Sequence, residues 1–360
     1  MRLSRVVLVT LAVVIGMPGC NPLAQSEVPT FVRDESWPKP LPDNWRLGIV
    51  WGVGVDPNDH VWVFHAPDNF RAQIDDEGKV PAPPVLEFDQ EGNLLRHWGG
   101  RDQGHPWFYR MDNERMAWVD PHPHPVREHA LNVDHDGNIW LSGGGHLVLK
   151  FSPDGEFLLQ LGELGKTGGS NHTEYLGNPS SVDFNPETNE VYVADGYFNK
   201  RIIVFDMYTG EYKRHWGRYG ETPDDSFEPG AIPAWSGEYA APTGFFPRFA
   251  HGVNVANDGL VYAADRAHSL LHVYEPDGTF IKEAPTPGPI NSVAFSHDPE
   301  QEFVYGAGLN AAARIYIMRR DTLESVGEFE STGQHYFDVD SQGNLFTCGL
   351  FMPVKFVRQG

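Results

Sequence analysis

Short runs of alternating apolar and polar residues, separated by turn-forming residues, recur along the chain from residue 51 onward. The clearest example is residues 178–206, NPSSVDFNPETNEVYVADGYFNKRIIVFD. Residues 181–184 alternate, residues 190–194 are rich in β-branched and aromatic side chains, and residues 201–205 form a third apolar run. Such runs, bounded by Pro, Asn, Asp and Gly, predict three consecutive β-strands. One such unit cannot bury both faces of its sheet, so the pattern predicts further copies packed against it.

Six copies of this unit occur in the sequence, and their equivalent first positions are Trp51, His129, Ser180, His251, Asn291 and His335. The two shortest intervals, 40 and 44 residues, match one four-stranded blade of a β-propeller. The longer intervals contain insertions at about 100–126, 163–177 and 217–248, which we expect to form loops on one face. The sequence therefore predicts an all-β fold, a six-bladed β-propeller of residues 47–360. We expect an N-terminal strand from about 30–48 to complete the last blade and close the ring.

The first 20 residues have the pattern of an export signal. Arg2 and Arg5 precede an apolar run over residues 6–15, and Gly19-Cys20 follows. This order resembles a bacterial lipoprotein signal with Cys20 as the lipidated residue, and the alternative is ordinary signal cleavage near Ala24. The polar, Pro-rich residues 21–46 are interpreted as a tether and lead-in. We therefore expect a protein exported from a bacterial cell, either lipid-anchored facing the periplasm or exterior, or secreted.

Composition narrows the classes of partner. The chain has 27 basic and 49 acidic residues and a formal net charge of −22, which repels a phosphate backbone and argues against nucleic acid as a partner. We expect contact with a membrane only through an N-terminal lipid anchor. Cys20 and Cys348 are the two cysteines of the sequence, which excludes a cysteine-rich zinc or iron–sulfur site.

The first positions of the six copies carry a candidate metal site. The first strand of each blade lines the central channel of a propeller, so equivalent positions form a ring around its axis. His129, His251 and His335 occupy this position in blades two, four and six, about 120° apart. Three inward-facing imidazoles predict a metal site with open coordination positions. Zinc suits such ligands, as do iron, copper and nickel.

Three segments carry a resemblance to a known family. These are HALNVD followed by GNIWL, NEVYVADGYFNKRIIVF, and HGVNVANDGLVYAADR. The copies resemble NHL-type repeats, and the combination is similar to peptidyl-α-hydroxyglycine α-amidating lyase and its bacterial relatives over nearly the whole mature chain. The resemblance implies that His129, His251 and His335 hold zinc. It also implies a catalytic tyrosine at Tyr197 and a substrate-site arginine at Arg266.

The resemblance further implies a structural calcium ion on the axis, bound by the backbone carbonyls of Val53 and Leu131. The implied reaction is N-dealkylation, in which Tyr197 takes a proton from a carbinol hydroxyl and the C–N bond breaks to give an amide and glyoxylate. The sequence departs from the family at three positions. Ala66 stands where the family has a substrate arginine, Tyr336 replaces an acidic calcium ligand, and Phe198 replaces a disulfide cysteine.

Three functions are weighed on this basis. The first is a metal-dependent lyase or hydrolase that acts on a small molecule or peptide in the central channel. The second is a non-catalytic exported propeller that binds a peptide, glycan or protein through its loops, including the aromatic insertion at 217–248. The third is a lactonase-type propeller, which holds its metal through Glu, Asn and Asp. The ring of histidines argues against the third and favours the first.

Overall fold

The computed structural model describes residues 26–67, 78–100, 107–108, 128–226, 250–308, 313–331, 333–349 and 352–359. Cys20, the export signal and most of the insertions at 100–126 and 217–248 lie outside these residues. Regular structure in the described ranges is β throughout, apart from one 3₁₀ turn, Arg218–Gly220. None of the described helical structure is long and apolar enough to cross a membrane.

Six four-stranded antiparallel sheets form the blades, as the repeat predicts. In chain order the first strands are β1 (Thr30–Arg33), β2 (Trp45–Arg46), β3 (Ile49–Val55), β4 (Val61–Ala66), β5 (Val80–Pro81), β6 (Val85–Phe88), β7 (Leu94–Trp98), β8 (Glu128–Val133), β9 (Ile139–Gly143), β10 (Leu147–Phe151), β11 (Phe157–Leu161), β12 (Ser181–Asn185) and β13 (Glu190–Asp195). The remaining strands are β14 (Arg201–Asp206), β15 (Tyr212–Trp216), β16 (Gly252–Val255), β17 (Val261–Asp265), β18 (Leu270–Tyr274), β19 (Phe280–Pro285), β20 (Ile290–Phe295), β21 (Phe303–Gly308), β22 (Arg314–Arg319), β23 (Ser325–Glu330), β24 (Gly333–Val339), β25 (Leu345–Gly349) and β26 (Pro353–Gln359).

Blade 1 is the sheet β3-β4-β6-β7, and blades 2 to 5 follow as β8–β11, β12–β15, β16–β19 and β20–β23. Blade 6 has the order β24-β25-β26-β1, so the N-terminal strand supplies its outermost position. Thr30 pairs with Gln359 in this sheet. The predicted closure of the ring is therefore confirmed, and residues 30–33 belong to the propeller although they lie in the segment assigned to the lead-in. β1 thereby pairs with the outer edge of β26, which would otherwise carry unpaired backbone groups.

The core lies between neighbouring blades. One apolar cluster joins Val53 and Val61 of blade 1 to Phe346 and Cys348 of blade 6, which seals the ring where the chain ends meet. The inner strands approach so closely that side chains are excluded at some positions. A Cβ on Gly52 would lie 2.3 Å from the backbone nitrogen of Leu131 in blade 2. This convergence brings the first positions of the six copies around a narrow channel.

Candidate metal centre in the central channel

The three ring histidines meet on the propeller axis. His129 lies in β8, His335 lies in β24, and His251 directly precedes β16. Their ring centroids are 4.5 to 5.3 Å apart. One nitrogen of each imidazole lies within 4.8 Å of the others, which is a spacing that could hold a metal ion. The alternate-blade argument from the sequence thus leads to one compact cluster.

A backbone carbonyl fixes the orientation of each imidazole. Nδ1 lies 2.7 Å from the Ser180 carbonyl oxygen in His129, 2.8 Å from that of Asn291 in His251, and 2.8 Å from that of Trp51 in His335. A carbonyl oxygen only accepts, so each Nδ1 carries the proton and each Nε2 keeps its lone pair. Ser180, Asn291 and Trp51 are the first positions of the next blades. The ring positions without histidine therefore orient the histidines, because a hydrogen bond from the second ring nitrogen of a metal-binding histidine fixes its tautomer and the direction of its ring.

The surroundings of His251 favour its neutral form. His251 is 4% exposed. Burial, the positive charge of Arg266 and the two neighbouring imidazoles hold the pKa of His251 well below its usual value. A neutral imidazole is the form that binds a metal ion. The donor set of three nitrogen lone pairs fits zinc, and the Nε2 atoms are the ligands it would use.

Tyr197 lies directly beside the imidazoles. Its hydroxyl oxygen is 2.9 Å from Nε2 of His129 and 3.1 Å from Nε2 of His251. The Arg266 guanidinium donates to the same oxygen over 3.4 Å and to Oδ1 of the buried Asn291 over 3.1 Å. The phenol, the guanidinium and the imidazoles therefore form one hydrogen-bonded group. This arrangement can bind an anionic or hydroxyl-bearing substrate and can move a proton at the tyrosine oxygen.

A buried ion pair holds the loop that carries Tyr197. Asp195 ends β13, Arg201 begins β14, and Asp195 Oδ2 lies 2.9 Å from Arg201 Nε with both side chains fully buried. Arg201 also donates to the carbonyl oxygens of Ser170 and Tyr175, each over 2.8 Å, so it connects the loop to the insertion at 163–177. Neither residue follows from the ring argument. A signal was present, since Asp and Arg flank the GYFNK segment at cross-strand positions.

Phe198 stands where the resemblance places a cysteine. Its backbone nitrogen donates to the Gly177 carbonyl oxygen over 2.8 Å, and its ring lies 5.4 Å from the buried imidazole of His146. Gly177 in turn donates to Asp195 Oδ1 over 2.7 Å. Hydrogen bonds and packing thus hold the tyrosine loop against the insertion.

Tyr336 fills the channel next to the histidines. Its ring stacks on His251 at 5.7 Å with an interplanar angle of 11°, and the side chain is 4% exposed. Its hydroxyl lies 3.0 Å from the Ser180 carbonyl oxygen and 2.9 Å from that of His251. A phenol in this place donates a proton, and burial raises its pKa well above the usual value, so it offers no carboxylate to a cation.

Tyr336 therefore does not supply the acidic ligand that the resemblance implies for calcium, and the site at Val53 and Leu131 stays a prediction. Val53 and Leu131 are both buried on inner strands, at 2% and 0% exposure. The carboxylates that line the channel beyond Tyr336 are Asp183 and Asp338. They accept hydrogen bonds from the backbone nitrogens of Val255 over 2.7 Å and Val55 over 2.8 Å, and they connect neighbouring blades. Burial raises the pKa of Asp183 to about 7 and that of Asp338 to about 6.

The residue at the position of the family's substrate arginine is Ala66, which carries no charge. Ala66 ends β4 and is 4% exposed. The neighbouring His65 is fully buried, and it accepts from the Gly48 nitrogen over 3.0 Å while its Nε2 lies 2.9 Å from the Pro83 carbonyl oxygen. Burial lowers the pKa of His65 to about 4, which marks a neutral structural histidine. Arg71, five residues beyond Ala66, lies outside the described residues.

Comparisons with known proteins agree with the fold and the resemblance. No protein-family model matches the chain. Peptidyl-glycine alpha-amidating monooxygenase A of Xenopus laevis is 25% identical over 265 residues, which are 70% of this chain and 24% of that protein. The chain thus spans about a quarter of the frog protein's length. Peptidyl-alpha-hydroxyglycine alpha-amidating lyase 2 of Drosophila melanogaster is 27% identical over 198 residues, 51% of this chain and 42% of that one.

Two further similarities concern the architecture. NHL repeat-containing protein 3 of Homo sapiens is 24% identical over 312 residues, which are 82% of this chain and 71% of that protein. A solved structure described as a streptogramin B lyase covers 91% of this chain and 98% of its own, with a TM-score of 0.50 and 10% identity, and it bears on the fold alone. The chain is therefore a six-bladed β-propeller, and its sequence is similar to those of amidating lyases and of NHL repeat-containing protein 3.

Proposed function

We propose that the protein is a zinc-dependent lyase that cleaves the C–N bond of a carbinolamide in the central channel. The observation that carries the proposal is the convergence of three Nε2 lone pairs with the Tyr197 hydroxyl and the Arg266 guanidinium. The relatives that include amidating lyases support the same reaction class. A peptide or small molecule ending in an α-hydroxyglycine unit is the proposed substrate.

Bound zinc would supply a Lewis acid that polarises the substrate oxygen. Tyr197, as the phenolate, takes the proton of the carbinol hydroxyl, and the oxygen of that hydroxyl forms the carbonyl bond of glyoxylate. The electron pair of the C–N bond leaves with the nitrogen, which recovers the proton and becomes the amide. Arg266 donates toward the tyrosine oxygen and holds negative charge at this point of the channel.

The proposed setting is outside the cytoplasm of a bacterial cell. The basic and apolar segments before Gly19-Cys20 support export, with lipidation of Cys20 as the proposed anchor. Labelling with a fatty-acid analogue tests the anchor, because a Cys20→Ala variant that is labelled as strongly as the native protein would contradict it.

A second candidate is a non-catalytic NHL propeller that binds a peptide, glycan or protein. Two observations favour it. The human NHL protein matches a larger share of this chain than either amidating enzyme named above, and the family's substrate arginine is replaced by the buried Ala66.

Metal content and glyoxylate release separate the two candidates. We expect about one zinc ion per chain at the ring, lost when His129, His251 and His335 become Ala and retained when the exposed His297 becomes Ala. Tyr197→Phe should keep this metal and abolish glyoxylate release from an α-hydroxyglycine peptide. A ring that binds no metal after reconstitution would refute the lyase. A metal-loaded protein without glyoxylate release would favour the binding propeller.

A further inference from the structure

A second cluster of ligand-type side chains lies at the turn between the first two strands of blade 1. Blades 1, 2 and 6 share the local design of this turn, in which an aspartate accepts backbone hydrogen bonds four residues on. In blade 2, Asp134 accepts from the Asn138 nitrogen over 2.8 Å and from Trp140 Nε1 over 2.9 Å. Lys150 completes the group, with Nζ 3.1 Å from Asp134 Oδ2 and side-chain exposures of only 5% and 0%. A buried ammonium thus balances the buried carboxylate.

Blade 6 repeats the three residue types at the same positions. Asp340 accepts from the Asn344 nitrogen over 2.8 Å, and Lys355 pairs in register with Phe346, as Lys150 does with Trp140. Lys355 is also buried, at 8% exposure. Its ammonium hydrogen-bonds to Gln90 of blade 1, and a lysine at this register position of the third strand is therefore common to blades 2 and 6.

Blade 1 keeps the aspartate and changes both of its companions. Asp56 accepts from the His60 nitrogen over 2.9 Å and from Trp62 Nε1 over 3.1 Å, as the aspartate of blade 2 does. His60 stands at the asparagine position, and Glu87, paired in register with Trp62, stands at the lysine position. Glu87 is 2% exposed. The blade has thus replaced a buried ammonium by a carboxylate and has added an imidazole beside it.

These three side chains converge. His60 Nδ1 lies 2.7 Å from Glu87 Oε1 and 3.8 Å from Asp56 Oδ2, and one ligand atom of each residue lies within 4.8 Å of the others. Arg96 Nε lies 3.2 Å from the other Glu87 oxygen and offsets one of the two carboxylate charges. The hydrogen bonds from Trp62 and from the turn backbone orient the Asp56 carboxylate, as hydrogen bonds to a metal-binding carboxylate commonly do.

We propose that Asp56, His60 and Glu87 bind a divalent metal ion of the zinc class, in the place where blades 2 and 6 carry a lysine ammonium. Imidazole nitrogen and carboxylate oxygen are both zinc ligands, and three protein ligands leave one position of a tetrahedral site for water. The His60 side chain is 34% exposed, so the site can be reached from solvent. The site is separate from the histidine ring and does not depend on the proposed lyase activity.

The test is zinc stoichiometry of the purified full chain by mass spectrometry and chelator-competition titration. The decisive variant is the double change His60→Asn with Glu87→Gln, which removes the imidazole and one carboxylate, keeps side chains of similar size and places no new positive charge beside Arg96. We expect two zinc ions per native chain and one in this double variant. Substituting alanine for the three ring histidines should also leave one, and the combined variant should bind none.

The outcomes also separate this proposal from the proposed function. The second site is overturned if the double variant binds as many zinc ions as the native chain and zinc raises the melting temperatures of both proteins equally. His60 and Glu87 would then be a plain ion pair. A different outcome is one zinc ion in the native chain, one in the ring variant and none in the double variant. In that case the second site stands and the zinc ring fails. Circular dichroism of each variant confirms that the propeller has folded.

Discussion

Replacing Arg201 by Met tests whether the Asp195–Arg201 pair is the brace of the Tyr197 loop. Methionine has a similar length and removes the guanidinium, so the fully buried Asp195 carboxylate loses its cation. Breaking a buried ion pair on one side costs about 3–5 kcal/mol. The carbonyls of Ser170 and Tyr175 lose their donors as well, so we expect a loss of at least about 4 kcal/mol in unfolding free energy.

Arg314→Met is the matched control. Arg314 lies 2.7 Å from Glu328 on outer strands of blade 5, with side-chain exposures of 31% and 46%, so this pair is as close but reaches solvent. Exposed pairs contribute about 0–1 kcal/mol. The assay is urea unfolding followed by tryptophan fluorescence. Arg201→Lys is a third variant, which keeps the positive charge but cannot make the several hydrogen bonds of the guanidinium. Equal losses for the Arg201 and Arg314 variants would refute the reasoning from burial.

The remaining predictions concern the channel. Because burial raises the pKa of Asp183 from 3.8 to about 7 and that of Asp338 to about 6, the native state binds more protons than the unfolded state at mildly acidic pH, and stability falls as pH rises through this window. We expect Asp183→Asn to gain about 1–2 kcal/mol relative to the native protein between pH 5 and pH 8, less than the full shift would give because the Asp183 side chain is partly exposed. A pH-independent difference in urea unfolding would contradict this. Tyr336→Phe removes the donor to the Ser180 and His251 carbonyl oxygens and should cost about 1–2 kcal/mol in the same assay, whereas an unchanged stability would show that these contacts contribute nothing.

The histidine cluster could be predicted because it rests on repetition. Equivalent positions of six copies must lie at one level of the ring, so the identity of His129, His251 and His335 was enough to bring them together. The acceptors of their Nδ1 protons could not be read in this way. The His335 proton goes to the Trp51 carbonyl, 284 residues away, and this contact exists only because the ring is closed.

The calcium site, in contrast to the histidine cluster, was expected from resemblance and not from the repeat. The site at Val53 and Leu131 stays a prediction, and one substituted side chain at this level removes the acidic ligand that the resemblance implies. Tyr336 at this position stacks on His251 and donates to channel carbonyls, which a carboxylate would not do. A residue type alone does not tell whether its side chain lies on the axis or turns away from it.

The sequence by itself determined the six four-stranded blades and the level of the equivalent residues along the channel, but not the short β2–β5 pair outside the blades. Period-two alternation fixes which face a side chain takes, and the repeat fixes which residues are equivalent. Only the tertiary structure decided the contacts between blades. These include the carbonyls of Ser180, Asn291 and Trp51 that orient the imidazoles, and the hydrogen bonds of Tyr336 to the carbonyls of Ser180 and His251. They depend on the distance and tilt between strands far apart in the chain, which the packing of side chains between neighbouring blades sets after the ring has closed.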